Sequence, residues 1–301
     1  MTLTHTVTPQ EDGMTLQALL RGPMALSARQ VREAKAQGGL SVDGAPFFAN
    51  QPVRAGMLVR VTLSGYAGDI RPGAQDALLH VLYEDDALLA VCKEAMLQCH
   101  PSPSAPNGSD TLEARVQRYL CAPAHPVHRL DAETTGIVLF AKLPFAQARL
   151  QQQMQTGAFQ KTYQAWVYGA PNPPQGEIDA PIARLTPDSF TRVVREDGQR
   201  AVSRYELLRT VPIPGGLAAL LALSPLTGRT HQLRVHMAHI GHPLLGDVRY
   251  ASPESAAASR ALGLRFHQLS AIGLRFVHPV TGERVALSCP SRFAFAPDAT
   301  R

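Results

Sequence analysis

Apolar positions near the start of the chain recur at helical spacing: Leu16, Leu19 and Leu20 share one face of a short helix. A second helix is predicted over 28–36, with Ser27 as its cap and Gly38 and Gly39 as its stop. Residues 40–44, LSVDG, read as a strand running into an Asp-Gly turn, and 57–63, MLVRVTL, as a further strand. Two helices and a hairpin make a compact α+β unit over 14–64, after a polar lead-in at 1–13. Residues 65–77, GYAGDIRPGAQDA, collect Gly, Pro and Asp and are the best linker in the chain. From 78 to 292 no comparable break occurs. Strand patterns fall at 79–83, 87–91, 136–141, 161–168, 202–208 and 216–223, and helical patterns at 112–120, 144–156 and 230–239. That mixture predicts an α+β domain on a large mixed, mostly antiparallel sheet. PNPPQG at 171–176 and PIPGG at 212–216 read as surface turns, and the tail after Pro290, including 293–301, as loosely held.

Composition narrows the class. Hydrophobic residues make up 45% of 301, enough for a sizeable core, and the longest apolar run, 217–223, is far too short to span a bilayer. The start, MTLTHTVTPQEDG, has no basic or apolar run, so no secretory signal is expected. The four cysteines form no CxxC pair, which argues against a zinc ribbon and suits a reducing, cytoplasmic setting. Cys99 stands out because it precedes Pro101 in a loop. The charge, 29 − 24 = +5, fits a polyanionic partner without requiring one.

Three segments carry candidate chemistry. PVHRLDAETTG (126–136) places His128, Arg129, Asp131, Glu133, Thr134 and Thr135 in a loop that feeds an apolar strand. Asp131 reads either as a nucleophile or base, or as a turn-shaping acceptor of backbone N–H groups. PLTGRTHQLRVHMAHIGHPLLGD (225–247) sets Arg229, His231 and Arg234 at the start of a helix, where a guanidinium can hold a carboxylate from elsewhere in its charged form. Its four histidines invite a metal reading, but no Cys, Glu or Asp lies among them at ligand spacing and HExxH is absent, so no metal is expected. FQKTYQAWVY (159–168) alternates, putting Lys161 and Tyr163 on one side of a strand and Trp166 on the other.

In this order the segments resemble the RluA-type family of pseudouridine synthases. The matching residues are HRLDxxTxG at 128–136, KxYxA at 161–165, GRTHQLRVH at 228–236 and GHPLLGD at 241–247, closed by Phe266, His267, Leu269, Phe276, His278 and Pro279. The likeness runs from about 78 to 290, and the unit at 14–64 is similar to an S4 RNA-binding domain. Three departures stand out. Thr135 replaces the usual Ser, Cys99-His100-Pro101 replaces a Val-His-Pro-like triplet, and Met14 to Gln17 replace the opening Arg-Leu-Asp of S4.

The resemblance implies a cofactor-independent isomerisation of uridine to pseudouridine in RNA; the scattered cysteines place it in the cytoplasm, and a monomer is the default expectation. Large-subunit ribosomal RNA is the implied substrate, with transfer RNA the alternative. It matches Asp131 to the essential aspartate, Arg234 to its charged partner and Tyr163 to a tyrosine that stacks on uracil. Asp131 can attack C1′, attack the ring or remove a ribose proton, and the sequence does not choose. Arg129 matches the residue that fills the space of the flipped base. His128, Thr134, Thr135, Arg229 and His231 are expected to contact RNA, as are Arg29, Arg32 and Lys35 on one face of the second helix. Two other readings stay in view: a catalytically inactive RNA-binding or ribosome-assembly factor, and a histidine-ligated hydrolase.

Overall fold

A computed structural model describes residues 2–24, 26, 28–62, 79–101 and 110–297. The Ser27 cap, the 65–77 linker, the end of the tail and the side chain of Arg29 fall outside the described residues.

The first sheet is built from β1 (Thr2–Thr6), β2 (Leu40–Val42), β3 (Ala45–Pro46) and β4 (Leu58–Thr62), in the order β1-β4-β2-β3, all antiparallel. Against it lie α1 (Leu16–Arg21) and α2 (Ala28–Ala36). The Asp-Gly turn is formed as expected: Asp43 and Gly44 have φ of 51° and 84°, and Val42 pairs Ala45. The lead-in is not a loose segment. Thr2 to Thr6 pair with Thr62 to Leu58, and Leu3 and Val7 are buried. TLTHT reads as polar by hydropathy, yet threonine is β-branched and favours a strand. Nor does the unit stand apart, because one hydrophobic cluster joins Leu16, Leu19, Val59 and Val61 to Leu88, Leu139, Phe145 and Leu150.

The larger sheet contains β5 (His80–Glu84), β6 (Leu88–Lys93), β7 (His125–Pro126), β8 (Thr135–Ala141), β9 (Gln160–Tyr168), β10 (Gln175–Asp179), β13 (Val202–Ile213), β14 (Gly216–Pro225), β15 (Leu269–Val277) and β16 (Arg284–Ser288). Its order is β10-β13-β14-β9-β15-β8-β6-β5, with β16 beside β15 and β7 beside β8. A separate hairpin, β11 (Ile182–Arg184) with β12 (Arg192–Val194), leaves the sheet. The helices are α3 (Leu112–Leu120), α4 (Pro144–Thr156), α5 (Gln232–His239) and α6 (Pro253–Ala261). This is the α+β architecture expected, mixed because β15 runs parallel to β8 while the other pairings of the large sheet are antiparallel.

The parallel pair depends on a glycine. Gly136 has φ +111°, and a Cβ there would lie 2.1 Å from the Ala271 carbonyl oxygen. Only a residue without a side chain lets β8 and β15 approach this closely. Three other expectations need correction. The turn read at 212–216 shrinks to Pro214-Gly215, because β13 continues to Ile213 and pairs with Gly216. The helix read from Thr230 starts at Gln232, since its N-cap His231 takes a left-handed φ of 57°. The tail is held at its start, where Phe295 meets Trp166 edge-on with ring centroids 5.0 Å apart.

Candidate active site

Loops at one end of β8, β9, β14 and α5 surround a cleft of about 570 Å³. Asp131 enters it from the loop before β8, Tyr163 and Lys161 from β9, Arg229 and His231 from the segment joining β14 to α5, and Arg234 from α5 itself. Arg129, Arg184, Arg192 and the exposed Phe190 complete the rim. Six Lys and Arg residues line this space, and Asp131 is the one carboxylate among the described lining residues.

That carboxylate is held by a chain of ion pairs. Arg234 donates from one terminal nitrogen to Asp131 Oδ2 at 3.0 Å, and from Nε and its other terminal nitrogen to Asp247 at 2.7 and 2.9 Å. The side chain of Asp247 is fully buried, that of Arg234 6% exposed and that of Asp131 30% exposed. Asp247 also accepts from the backbone N–H groups of Arg249 and Tyr250, at 2.9 and 3.2 Å. Burial pushes the Asp247 carboxyl upward, but these donors, led by Arg234, hold it below the usual carboxylate range. For Arg234, burial opposes the charge and the two carboxylates outweigh it, raising the guanidinium above its ordinary value. Gly246, with φ +79°, makes the turn possible, since a Cβ there would lie 2.1 Å from the Phe266 carbonyl oxygen.

A second relay approaches the same carboxylate oxygen. The Arg192 backbone N–H donates to Tyr250 Oη at 3.0 Å, and Tyr250 Oη lies 2.7 Å from His231 Nδ1. With the Tyr250 hydroxyl donating, Nδ1 accepts and the proton of the neutral ring sits on Nε2, 3.8 Å from Asp131 Oδ2. Burial pushes His231 down to about 4 despite Asp131, so the ring is neutral at pH 7. Arg234 also lies over the Tyr250 ring, 5.1 Å from its centroid. Both contacts fall on Oδ2, which leaves Oδ1 without a hydrogen-bond partner among the described residues. Tyr163 is buried, and its hydroxyl is pushed up by burial and by the negative charge of Asp131, so it stays protonated.

The loop bearing Asp131 is fixed from both sides. Before it, the Leu130 N–H donates to Cys99 Sγ at 3.2 Å and the thiol lies 3.3 Å from the Leu130 carbonyl. After it, Lys93 Nζ donates to the Ala132 carbonyl at 2.7 Å and to those of Glu94 and Leu97 at 2.8 Å. Lys93 is fully buried, and burial pushes it down to about 8. Thr134 Oγ1 meets His267 Nε2 at 2.8 Å, while His267 Nδ1 lies 2.8 Å from Glu133. Cys99 is therefore a structural thiol, raised above its ordinary value by burial.

Of the residues expected to meet RNA, Arg129, Thr134, Arg229 and His231 line the cleft with Asp131, Tyr163 and Arg234. Two do not. His128 turns its ring inward, accepts the Leu139 N–H at 3.3 Å and is pushed down to about 3 by burial and by the Lys161 charge. Thr135 is buried and its hydroxyl donates to the carbonyls of Leu269 and Arg292, at 3.4 and 3.2 Å. Thr135 opens the enclosed strand β8, and His128, in the bend between β7 and β8, turns its ring into the core, so neither lines the cleft. Arg32 and Lys35 are exposed on α2, and Lys35 donates to Gln17 at 3.0 Å. The histidine cluster is structural in part. His236 is fully buried between Ser203 Oγ and the Ala180 carbonyl, and His242 sits on the Tyr168 carbonyl. Asp247, Tyr250, Lys93 and the Glu133–His267 pair were not anticipated as parts of the site. For Asp247 the signal was its place in GHPLLGD.

Residues 87–239 match the RNA pseudouridylate synthase family model. The chain is 32% identical over 274 residues to an uncharacterized RNA pseudouridine synthase, YjbO, of Bacillus subtilis, covering 89% of this chain and 93% of that one. It is 35% identical to ribosomal large subunit pseudouridine synthase D of Xanthomonas campestris (84% and 78%), and 35% identical to dual-specificity RNA pseudouridine synthase RluA of Escherichia coli (73% and 96%). Among solved structures, human RNA pseudouridylate synthase domain containing 4 aligns with a TM-score of 0.55 at 26% identity, covering 71% of this chain and 88% of that one. Human RNA pseudouridylate synthase domain containing 1 shares the fold, with a TM-score of 0.58 at 24% identity (70% and 83%). The chain belongs to the RluA-type family of RNA pseudouridine synthases, enzymes that isomerise uridine within RNA.

Proposed function

We propose that Asp131 is the essential carboxylate of this isomerisation, with Arg234 as its ion-pair partner and Tyr163 beneath the uracil. The observation that carries the reading is the one carboxylate among the described residues of a cationic cleft, paired at 3.0 Å with a guanidinium that a buried carboxylate already grips. In the reaction the N1–C1′ bond breaks and a C5–C1′ bond forms, C5 loses a proton and N1 gains one, so atoms and electrons balance without a co-reactant. The free Oδ1 of Asp131 is the oxygen assigned to the nucleoside. Attack at C1′, attack on the ring and removal of a ribose proton each need an anion in that place. Tyr163, being protonated, acts through its ring face and hydroxyl rather than as a phenolate base.

A stacked base cannot reach a recessed carboxylate, so the uridine flips out at a cost of a few kcal/mol. Arg129, exposed at the rim two residues before Asp131, takes the vacated place, because a planar guanidinium stacks on bases. The assigned substrate is large-subunit ribosomal RNA, supported by the likeness to the Xanthomonas enzyme, and the assigned setting is the cytoplasm, with the protein a monomer. Among the described residues no helix is long and apolar enough to cross a membrane. The N-terminal unit is assigned as an S4-like RNA-binding domain with Arg32 and Lys35 on its RNA face, followed by the catalytic domain over 78–292. Pseudouridine mapping of total RNA from cells with the gene, without it and with Asp131→Asn tests the assignment. One or more sites are expected to vanish in the last two. Persistence of those sites with Asp131→Asn would remove Asp131 from its role, and sites confined to transfer RNA would replace the ribosomal assignment.

A further inference from the structure

Lys161 is not needed by the chemistry just described, yet it lies in the same cleft. It shares a face of β9 with Tyr163, one two-residue repeat away, roughly 6.8 Å along the strand. Because Leu223 of β14 pairs Tyr163, the segment that leaves β14 at Pro225 passes beside Lys161. Gly228 comes so near that a Cβ there would lie 3.8 Å from Lys161 Nζ.

The other cations of the cleft are engaged or stand at the rim. Arg234 is held by two carboxylates, Arg229 Nε donates to the Arg200 carbonyl, Arg192 to that of Ser189 and Arg184 to that of Pro187. Arg129 is exposed. Lys161 Nζ has no hydrogen-bond or ion-pair partner among the described residues, although the side chain is recessed enough for burial to disfavour its charge. Three unpartnered N–H donors in a recessed position call for an acceptor that is both anionic and rich in oxygen.

We propose that Lys161 binds a phosphodiester group flanking the flipped uridine and so sets the depth to which the nucleotide enters the cleft. This rests on the reading of the cleft as the uridine site. A phosphate is favoured over a uracil carbonyl because Lys161 stands one strand repeat beyond the tyrosine assigned to the ring, on the scale of one nucleotide. An anion also relieves the cost of the buried charge, which a neutral carbonyl does only in part.

The test uses full-length protein and a hairpin RNA carrying a uridine that the wild-type enzyme converts. If no RNA is converted, the reading of the cleft fails first and the proposal with it. Given conversion, Lys161→Met is expected to raise KM about tenfold, the scale of one charge-assisted hydrogen bond, with kcat within threefold. The slope of log affinity against log salt should fall in magnitude by about 0.7, one single-strand phosphate, and Lys161→Arg should restore both. On RNA with a neutral methylphosphonate at the flanking phosphate, wild type should lose the same tenfold and Lys161→Met should lose no more. Additive losses, or a fall in kcat with an unchanged salt slope, would overturn the proposal. So would wild type binding RNA neutralised at both flanking phosphates as tightly as natural RNA, a result that needs no variant to fold.

Discussion

Asp131 and Asp247 bind the same guanidinium, and the same substitution should have opposite consequences at the two positions. Asp247→Asn removes a charge whose side chain is fully buried, where it accepts from two guanidinium nitrogens and two backbone N–H groups. Breaking one side of a buried pair costs about 3–5 kcal/mol, and because Asn keeps one acceptor the lower end, about 3 kcal/mol, is expected. Arg234 then loses the grip on Nε that orients the nitrogen facing Asp131. A displacement near 1 Å at a reacting group lowers kcat about a hundredfold. Asp131→Asn instead touches a partly solvated carboxylate, so stability should stay within about 1 kcal/mol while turnover disappears. The pH dependence adds a sign. The Asp247 carboxyl is lowered in the folded state, so its stabilisation is present above the unfolded carboxylate value and is lost as pH falls through the folded one. Asp247→Asn should therefore flatten the acid limb of the wild-type stability profile. Urea melts from pH 2 to 7 with single-turnover rates on converted RNA measure both. An Asp247→Asn protein as stable and as active as wild type would refute the claim that this carboxylate sets the guanidinium.

Gly136→Ala should destabilise the fold by about 3 kcal/mol or prevent soluble expression, because strain at φ +111° adds to a backbone clash; a melt unchanged from wild type would contradict the β8–β15 argument. His128 is lowered to about 3 in the folded state, so the unfolded chain binds the extra proton between roughly 6.5 and 3, and stability present above 6.5 is lost as pH falls. Wild type should lose about 2 kcal/mol from this group between pH 7 and 5, and His128→Leu should not, with RNA affinity equal in both at pH 7. Arg32→Glu with Lys35→Glu should weaken RNA binding and lower the salt slope by about 1.4 if α2 meets two phosphates, read by filter binding across salt; an unchanged isotherm would take α2 out of the RNA face.

How much of this was readable beforehand follows from where each signal lives. The paired leucines of α1, the Asp-Gly hairpin and the alternation along β9 are local patterns, and the structure reproduces them. Threonine-rich β1 was missed because hydropathy scores its strand formers as polar, and α5 started late because His231 adopts a left-handed cap. In the site, Asp131, Arg234 and Tyr163 came together as the motif order suggested. His128 and Thr135 did not, since spacing along a motif cannot say which side chains turn into the core, as His128 does before β8 and Thr135 at its first position. Asp247 and His267 lie 116 and 136 positions from Asp131, so no local pattern connects them to it.

The charge arrangement explains why so remote a residue matters. A cleft with six cations attracts a polyanion, but a guanidinium without another partner in contact with Asp131 would pair it as tightly as it could, at the expense of reactivity. Asp247 removes that conflict. It takes two of the donor positions of Arg234 and brings the three-residue group to a net charge of −1, so Asp131 is aligned by one hydrogen bond on Oδ2 while Oδ1 keeps its electron density for the nucleoside. The neutral His231 on the same oxygen adds direction without adding charge. On the proposed reading, the surrounding arginines can then bind RNA strongly without quenching the carboxylate assigned to act on it.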